Sequence, residues 1–119
     1  MATVTLTSAN FREHTDTGIA IIDFWAEWCP PCRTFAPVFE RASESHKDIV
    51  FGKVDTDAER SLSAEFDVQS IPTIAVIRDG VIVFSQPGAL PAQALESLIS
   101  QVQALDMDEV RSNLGAETR

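Results

Sequence analysis

The sequence predicts an α/β fold: a central mixed five-stranded sheet with helices on both faces, in the order βαβαβ followed by ββα. Three observations carry this reading. The run Ile19-Ala20-Ile21-Ile22-Asp23-Phe24-Trp25 is apolar at almost every position, the pattern of a strand buried on both faces and parallel to a neighbour. Helical spacings alternate with strand-like runs through the first part of the chain, which calls for crossover helices packed on the sheet. Asp79-Gly80 then separates two β-rich runs, the signal of an antiparallel hairpin.

Taken in order, Val4-Thr5-Leu6 is the first strand, and Thr7 or Ser8 stands where a hydroxyl caps a helix carrying Phe11 to His14. Asp16-Thr17-Gly18 breaks that helix ahead of the buried strand. From Pro30, the spacing of Phe35, Val38, Phe39 and Ala42 predicts a helix that fades near His46-Lys47-Asp48 and kinks at Pro37, which lacks a backbone donor. Ile49 to Val54 is the next strand. Thr56-Asp57-Ala58-Glu59 has the capping-box pattern for a short helix with Ala58, Leu62 and Phe66 on one face. Thr73 to Ile77 and Val81 to Phe84 form the hairpin. Pro91 falls at the first position of a helix whose apolar face is Leu95, Leu98, Ile99, Val102 and Leu105. Residues 1–105 are thus one domain. In the extension 106–119, Met107, Val110 and Leu114 support one more amphipathic turn ahead of a frayed tail.

A chain of 119 residues, 45% apolar and 23% charged, builds a core without disulfide staples. A net charge of −9 argues against nucleic acid, whose phosphates need clustered cations. Met1 to Leu6 lacks the basic start and apolar core of a signal peptide, and no apolar run approaches the ~18 residues of a membrane span. The expectation is a cytoplasmic, monomeric protein with no membrane partner.

Both cysteines and both tryptophans lie in Trp25-Ala26-Glu27-Trp28-Cys29-Pro30-Pro31-Cys32. A leaderless chain with one C-x-x-C pair points to redox chemistry or metal binding. Thiol-disulfide exchange needs one thiolate to attack and a second to resolve the mixed disulfide. Cys29, preceding Pro30, avoids the helical region and sits at the helix boundary, while Pro30 and Pro31 fit the first turn. The helix N-terminus favours a thiolate there, so Cys29 is the expected nucleophile and Cys32 the buried resolving thiol. The metal alternative completes a zinc site with His14 and His46. Cys32 and His46, however, are about 21 Å apart along one helix at 1.5 Å per residue, and the histidines read as surface groups. A cluster shared by two chains is the remaining metal arrangement. There is no Gly-rich dinucleotide fingerprint, so no bound cofactor is expected.

Asp23 is a carboxyl within a doubly buried strand, where desolvation raises its pKa. It serves either proton transfer to and from Cys32 or a backbone hydrogen bond. Lys53 either pairs with Asp23 or extends from the sheet edge. Trp25 reads as structural and Trp28 as a contact for a partner protein. Pro30 has two opposed readings: it removes an N–H that would stabilise the Cys29 thiolate, and it stiffens the reduced loop, favouring the disulfide.

These landmarks in this order, Asp23-Phe24-Trp25-Ala26-Glu27-Trp28-Cys29, Cys32, Pro37, Lys53, Ile71-Pro72-Thr73, Asp79-Gly80 and Gly88-Ala89-Leu90, make the stretch from Val4 to Leu105 resemble the thioredoxin family. The family's usual dipeptide between the cysteines is Gly-Pro, replaced here by Pro30-Pro31. The resemblance implies the thioredoxin fold and a protein-disulfide reductase. It implies proton transfer for Asp23, tuned by Lys53, and a cis peptide at Ile71-Pro72 opposite the cysteines. Trp28, Pro30, Pro31, Ile71, Pro72 and Gly88 are the implied substrate surface, with Gly88 keeping it open and Gly80 serving turn geometry. Electrons are expected from NADPH through a separate flavoprotein, thioredoxin reductase, and substrates are disulfide-containing proteins. The alternatives are a disulfide donor or isomerase of higher potential, and a partner-binding module without turnover.

Overall fold

The computed structural model describes the backbone of residues 2–117. Strands β1 (Thr3–Thr5), β2 (Ile19–Trp25), β3 (Val50–Asp55), β4 (Thr73–Arg78) and β5 (Val81–Pro87) alternate with helices α1 (Phe11–Thr15), α2 (Pro30–Ser45) and α3 (Arg60–Glu65), and α4 (Ala92–Gln103) and α5 (Met107–Glu117) follow. The sheet order is β1-β3-β2-β4-β5. β1, β3 and β2 are parallel, and β4 and β5 join antiparallel. β2 is central and buried along most of its length, as its unbroken apolar run predicts.

Side chains alternate across β2 and so build two cores. Ile21 packs with Phe35 and Phe39 of α2 and Leu95 and Ile99 of α4 on one face. Ala20, Ile22 and Phe24 pack with Leu62 of α3 on the other, joined by Phe11 of α1 and by Phe66. α2 carries Pro37 on its exposed side and continues past it to Ser45.

Several expected boundaries move. Neither Thr7 nor Ser8 caps α1; the N-cap is Asn10, whose Oδ1 accepts from the Thr7 N–H at 2.7 Å. The Ser8 N–H instead goes to Glu59 Oε1 at 3.0 Å. That contact, 51 residues away in sequence, takes the carboxylate that the capping box needed. α3 therefore starts only at Arg60, and Asp55 Oδ1 holds the preceding turn through the Asp57 N–H at 2.9 Å. Pro91 is the N-cap of α4 rather than its first residue. The hairpin turn is as expected, with Asp79 and Gly80 both at positive φ, 52° and 81°. β5, however, reaches Pro87 and bulges near Val83.

Arg78, at the end of β4, donates through Nη1 to the Val102 and Leu105 carbonyls at 2.7 and 2.9 Å, satisfying the exposed C-terminus of α4. α5 spans 11 residues rather than one turn, buries Met107 and reaches Asp79 through Arg111 at 3.8 Å. The side chain of Leu114 and the tail at Thr118 and Arg119 lie outside the described residues. Among the described residues no helix is long and apolar enough to cross a membrane.

Candidate active site

β2 delivers the chain to the site at Trp25, whose carbonyl accepts from the Thr56 N–H at 2.9 Å and the Thr56 hydroxyl at 3.1 Å. A turn closed by the Cys29 N–H on the Ala26 carbonyl, 3.2 Å, then leads into α2. Cys29 is the N-cap, extended at φ −96° and ψ 107° as the following proline requires. Its carbonyl accepts the first helical bond, from the Arg33 N–H at 3.2 Å.

Pro30 and Pro31 fill the first two helical positions and carry no N–H. The first free donor at the helix start is therefore Cys32 N–H, and it points at Cys29 Sγ, 3.2 Å away. Cys29 and Cys32 are joined as a disulfide with Cα atoms 5.3 Å apart. Burial was expected of Cys32 alone, yet both residues are 3% exposed. Their chain positions distinguish them instead: Cys29 lies outside the helix at its positive end, whereas Cys32 lies within its first turn.

Opposite the sulfurs, the Ile71-Pro72 peptide is cis. The Ile71 carbonyl oxygen is 3.8 Å from Cys29 Sγ. The Pro72 carbonyl accepts from the Gly88 N–H at 2.7 Å, which ties the third segment of the site to the second. Gly88 has φ 105°, and a Cβ there would meet nothing within 4 Å among the described residues. The constraint on Gly88 within this chain is thus backbone conformation rather than clearance. Trp28 is 65% exposed beside the sulfurs, its indole N–H donating to Asp57 Oδ2 at 2.8 Å.

Asp23 has the same side-chain parity along β2 as Ile21, on the face covered by α2. It is fully buried, and neither carboxyl oxygen has a hydrogen-bond partner among the described residues. The expected alternative of a backbone hydrogen bond is therefore not realised. Burial pushes its pKa from 3.8 up to about 7, opposed by the positive charge of Lys53. Lys53 stands opposite Asp23 in the β2–β3 register. The direct ion pair expected between them does not form: no Lys53 pair within 4.0 Å occurs among the described residues. The ammonium lies instead 4.9 Å from the centre of the Trp25 ring. Following the carboxylate inward would strip the ammonium of water, whereas the indole face attracts it near the surface. Trp25 is accordingly half-buried and serves as the platform for Lys53.

The histidines stand apart from the sulfurs. His46 Nε2 is 2.7 Å from Glu96 Oε1, and His14 Nε2 is 3.6 Å from Glu13 Oε2. Among the described residues no group of three or more His, Cys, Asp or Glu side chains is arranged to hold a metal ion.

Sequence reasoning missed Asp57 as the partner of Trp28, and missed a groove of about 580 Å³ that runs from Trp28 and Ile71 along α3 past Arg60, Ala64 and Val68. The register would have found Asp57: Trp25 pairs with Asp55, so the segments that follow the two strands are neighbours.

Comparison with known proteins is consistent with this geometry. A family model described as Thioredoxin matches residues 2–101. "Putative thioredoxin 2" of Streptomyces coelicolor is 54% identical over 111 residues, covering 92% of this chain and 83% of that protein. "Thioredoxin" of Bacillus subtilis is 36% identical over 102 residues, 85% of this chain and 98% of that one. "Thioredoxin" of Coprinus comatus is 45% identical over 94 residues, 76% and 88% of the two chains.

Proposed function

The chain belongs to the thioredoxin family and is a thiol-disulfide oxidoreductase, and from that premise we propose how its residues divide the reduction of a protein disulfide. The Cys29 thiolate attacks one sulfur of the target disulfide. That bond breaks, a mixed disulfide forms, and the other target sulfur leaves as a thiolate that takes a proton from water. Asp23, ionised, accepts the proton of Cys32. The resulting thiolate attacks Cys29 Sγ and releases the second target sulfur. Two electrons have passed to the target, and the protein ends with Cys29 bonded to Cys32, the form in the structure.

The observation that carries this reading is the placement of that pair: Cys29 caps the helix, receives the Cys32 N–H, and faces the Ile71 carbonyl. The helix terminus and the N–H both stabilise negative sulfur at Cys29. Trp28, Pro30, Pro31 and Gly88 are exposed around the pair and offer the surface for the target, while the Ile71-Pro72 backbone pairs with an extended substrate segment. Asp23, buried and titrating near 7, suits proton exchange at neutral pH. Lys53 tunes it from a distance.

We assign the chemistry to residues 1–105 and treat 106–119 as an appended segment that carries α5. The oxidised pair is re-reduced by thioredoxin reductase, a flavoprotein drawing on NADPH, in the cytoplasm. The test is reduction of a generic protein disulfide, with and without that reductase and NADPH. Turnover should require both and vanish in Cys29→Ser; unaltered reduction by Cys29→Ser rules the scheme out.

A further inference from the structure

The groove beside the sulfurs carries one ionised side chain in its lining. Trp28, Ile71, Val68 and Ala64 give it apolar walls, with Ser and Thr hydroxyls, Gln69 and the exposed guanidinium of Arg60 as its polar groups. The Arg60 guanidinium has no hydrogen bond and no ion pair among the described residues. Of the carboxylates around it in sequence, Asp55, Asp57, Glu59 and Asp67 accept hydrogen bonds from other groups, and the exposed Glu65 lines a different pocket, beside Phe11 and Arg12. Asp57 accepts from the Trp28 indole at 2.8 Å, Glu59 from the Ser8 N–H at 3.0 Å, and Asp67 from the Gln69 amide at 3.2 Å. On a molecule of net charge −9, the one formal charge in the lining of this groove, continuous with Trp28 and Ile71, is the positive charge of Arg60.

We propose that Arg60 is a specificity-determining residue of the reductase: it selects targets whose segment flanking the reactive cysteine carries an acidic side chain that lies in this groove. The proposal rests on the reductase reading above and extends it to the class of substrate. The overall negative charge repels acidic proteins at long range, whereas Arg60 rewards one carboxylate in register with the reactive sulfur. Selection is therefore for the position of an acidic residue on the target, not for the target's total charge. Guanidinium suits this task, being permanently charged and able to hold a carboxylate through two parallel N–H donors.

The experiment uses the full chain and disulfide-linked peptides in which a single aspartate is scanned through the positions flanking the cysteine, each compared with its asparagine counterpart. Wild type should show one favoured register in which kcat/KM for aspartate exceeds that for asparagine by roughly threefold to fivefold at low salt, the effect of one partly exposed ion pair. The ratio should shrink at high salt, fall to about one in Arg60→Gln and invert in Arg60→Glu. It should persist in Arg12→Gln, which changes net charge equally on exposed surface outside the groove. A ratio unchanged by Arg60→Gln, or no favoured register in wild type, overturns the proposal. Binding of the same peptides with serine in place of cysteine is measured in parallel. If no peptide is reduced, the reductase reading fails by itself, while equal affinity for the aspartate and asparagine peptides rejects the role of Arg60.

Discussion

Replacing Asp23 by asparagine keeps the side chain's shape and removes its charge, so wild type and variant should diverge with pH in a way set by burial. The carboxyl is desolvated with both oxygens unpartnered, and its pKa stands at about 7 against 3.8 for the unperturbed group. Between those values the folded protein holds a proton that the unfolded chain has released, so stability falls as pH rises. Below the lower value both states are protonated, and above the upper one the full cost has been incurred. That cost is on the order of 4 kcal/mol, at about 1.4 kcal/mol for each pH unit between the two pKa values. The assay is urea unfolding of the oxidised protein across a pH series. Other carboxylates contribute equally to both proteins, so the difference between the two curves isolates Asp23. It should be flat in acid, grow in favour of asparagine through the window from about pH 4 to 7, and level off beyond it. Parallel curves would refute the claim that a buried, uncompensated carboxyl sits in the strand. The same variant should resolve the mixed disulfide more slowly, by on the order of a hundredfold or more, as expected from loss of a general base. It should also lose the rise in rate through about pH 7.

Three further outcomes follow from the site. Cys32→Ser should stall at the mixed disulfide, seen by mass spectrometry as a stable adduct of target with Cys29; free turnover would contradict the resolving role. Lys53→Gln removes the charge that lowers the Asp23 pKa, so the rate step and the upper edge of the stability window should both move to higher pH; an unmoved profile would mean that Lys53 serves only the Trp25 face. Pro30→Gly restores an N–H near Cys29 and loosens the reduced turn. Both effects favour the dithiol, and the potential should rise by on the order of 10–20 mV; equilibration with a glutathione buffer measures it, and a fall would reverse the argument.

Where burial is unbroken the sequence is a reliable guide. β2 runs from Ile19 to Trp25 as expected, because a strand covered on both faces shows its apolar run without interruption. α2 begins at Pro30 as expected, because proline's fixed φ and missing donor leave few other places for it. Edges were less legible. Ser85, Gln86 and Pro87 extend β5 through backbone pairing with Ala75, Ile74 and Thr73, and such an exposed end needs no apolar side chains. The start of α3 was misread because Glu59 bonds to Ser8 across the fold, a contact that no local pattern reveals. In the site, the disulfide pair, the cis peptide and the buried carboxyl were accessible from motifs and from the family resemblance. The displacement of Lys53 onto Trp25 and the isolation of Arg60 were not, since each depends on which neighbours have already found partners.

The tie between Arg111 and Asp79 has a practical consequence. Asp79 lies just past the Arg78 end of β4, which pairs with Ile19 at the start of β2, whereas the cysteines follow Trp25 at the other end. At about 3.3 Å per residue, the strand separates these ends by roughly 20 Å. The molecule thus has a reactive pole and a mooring pole. A resin, an electrode or a fused carrier coupled through α5 would hold the protein from behind, leaving the sulfurs and their groove facing outward to solution.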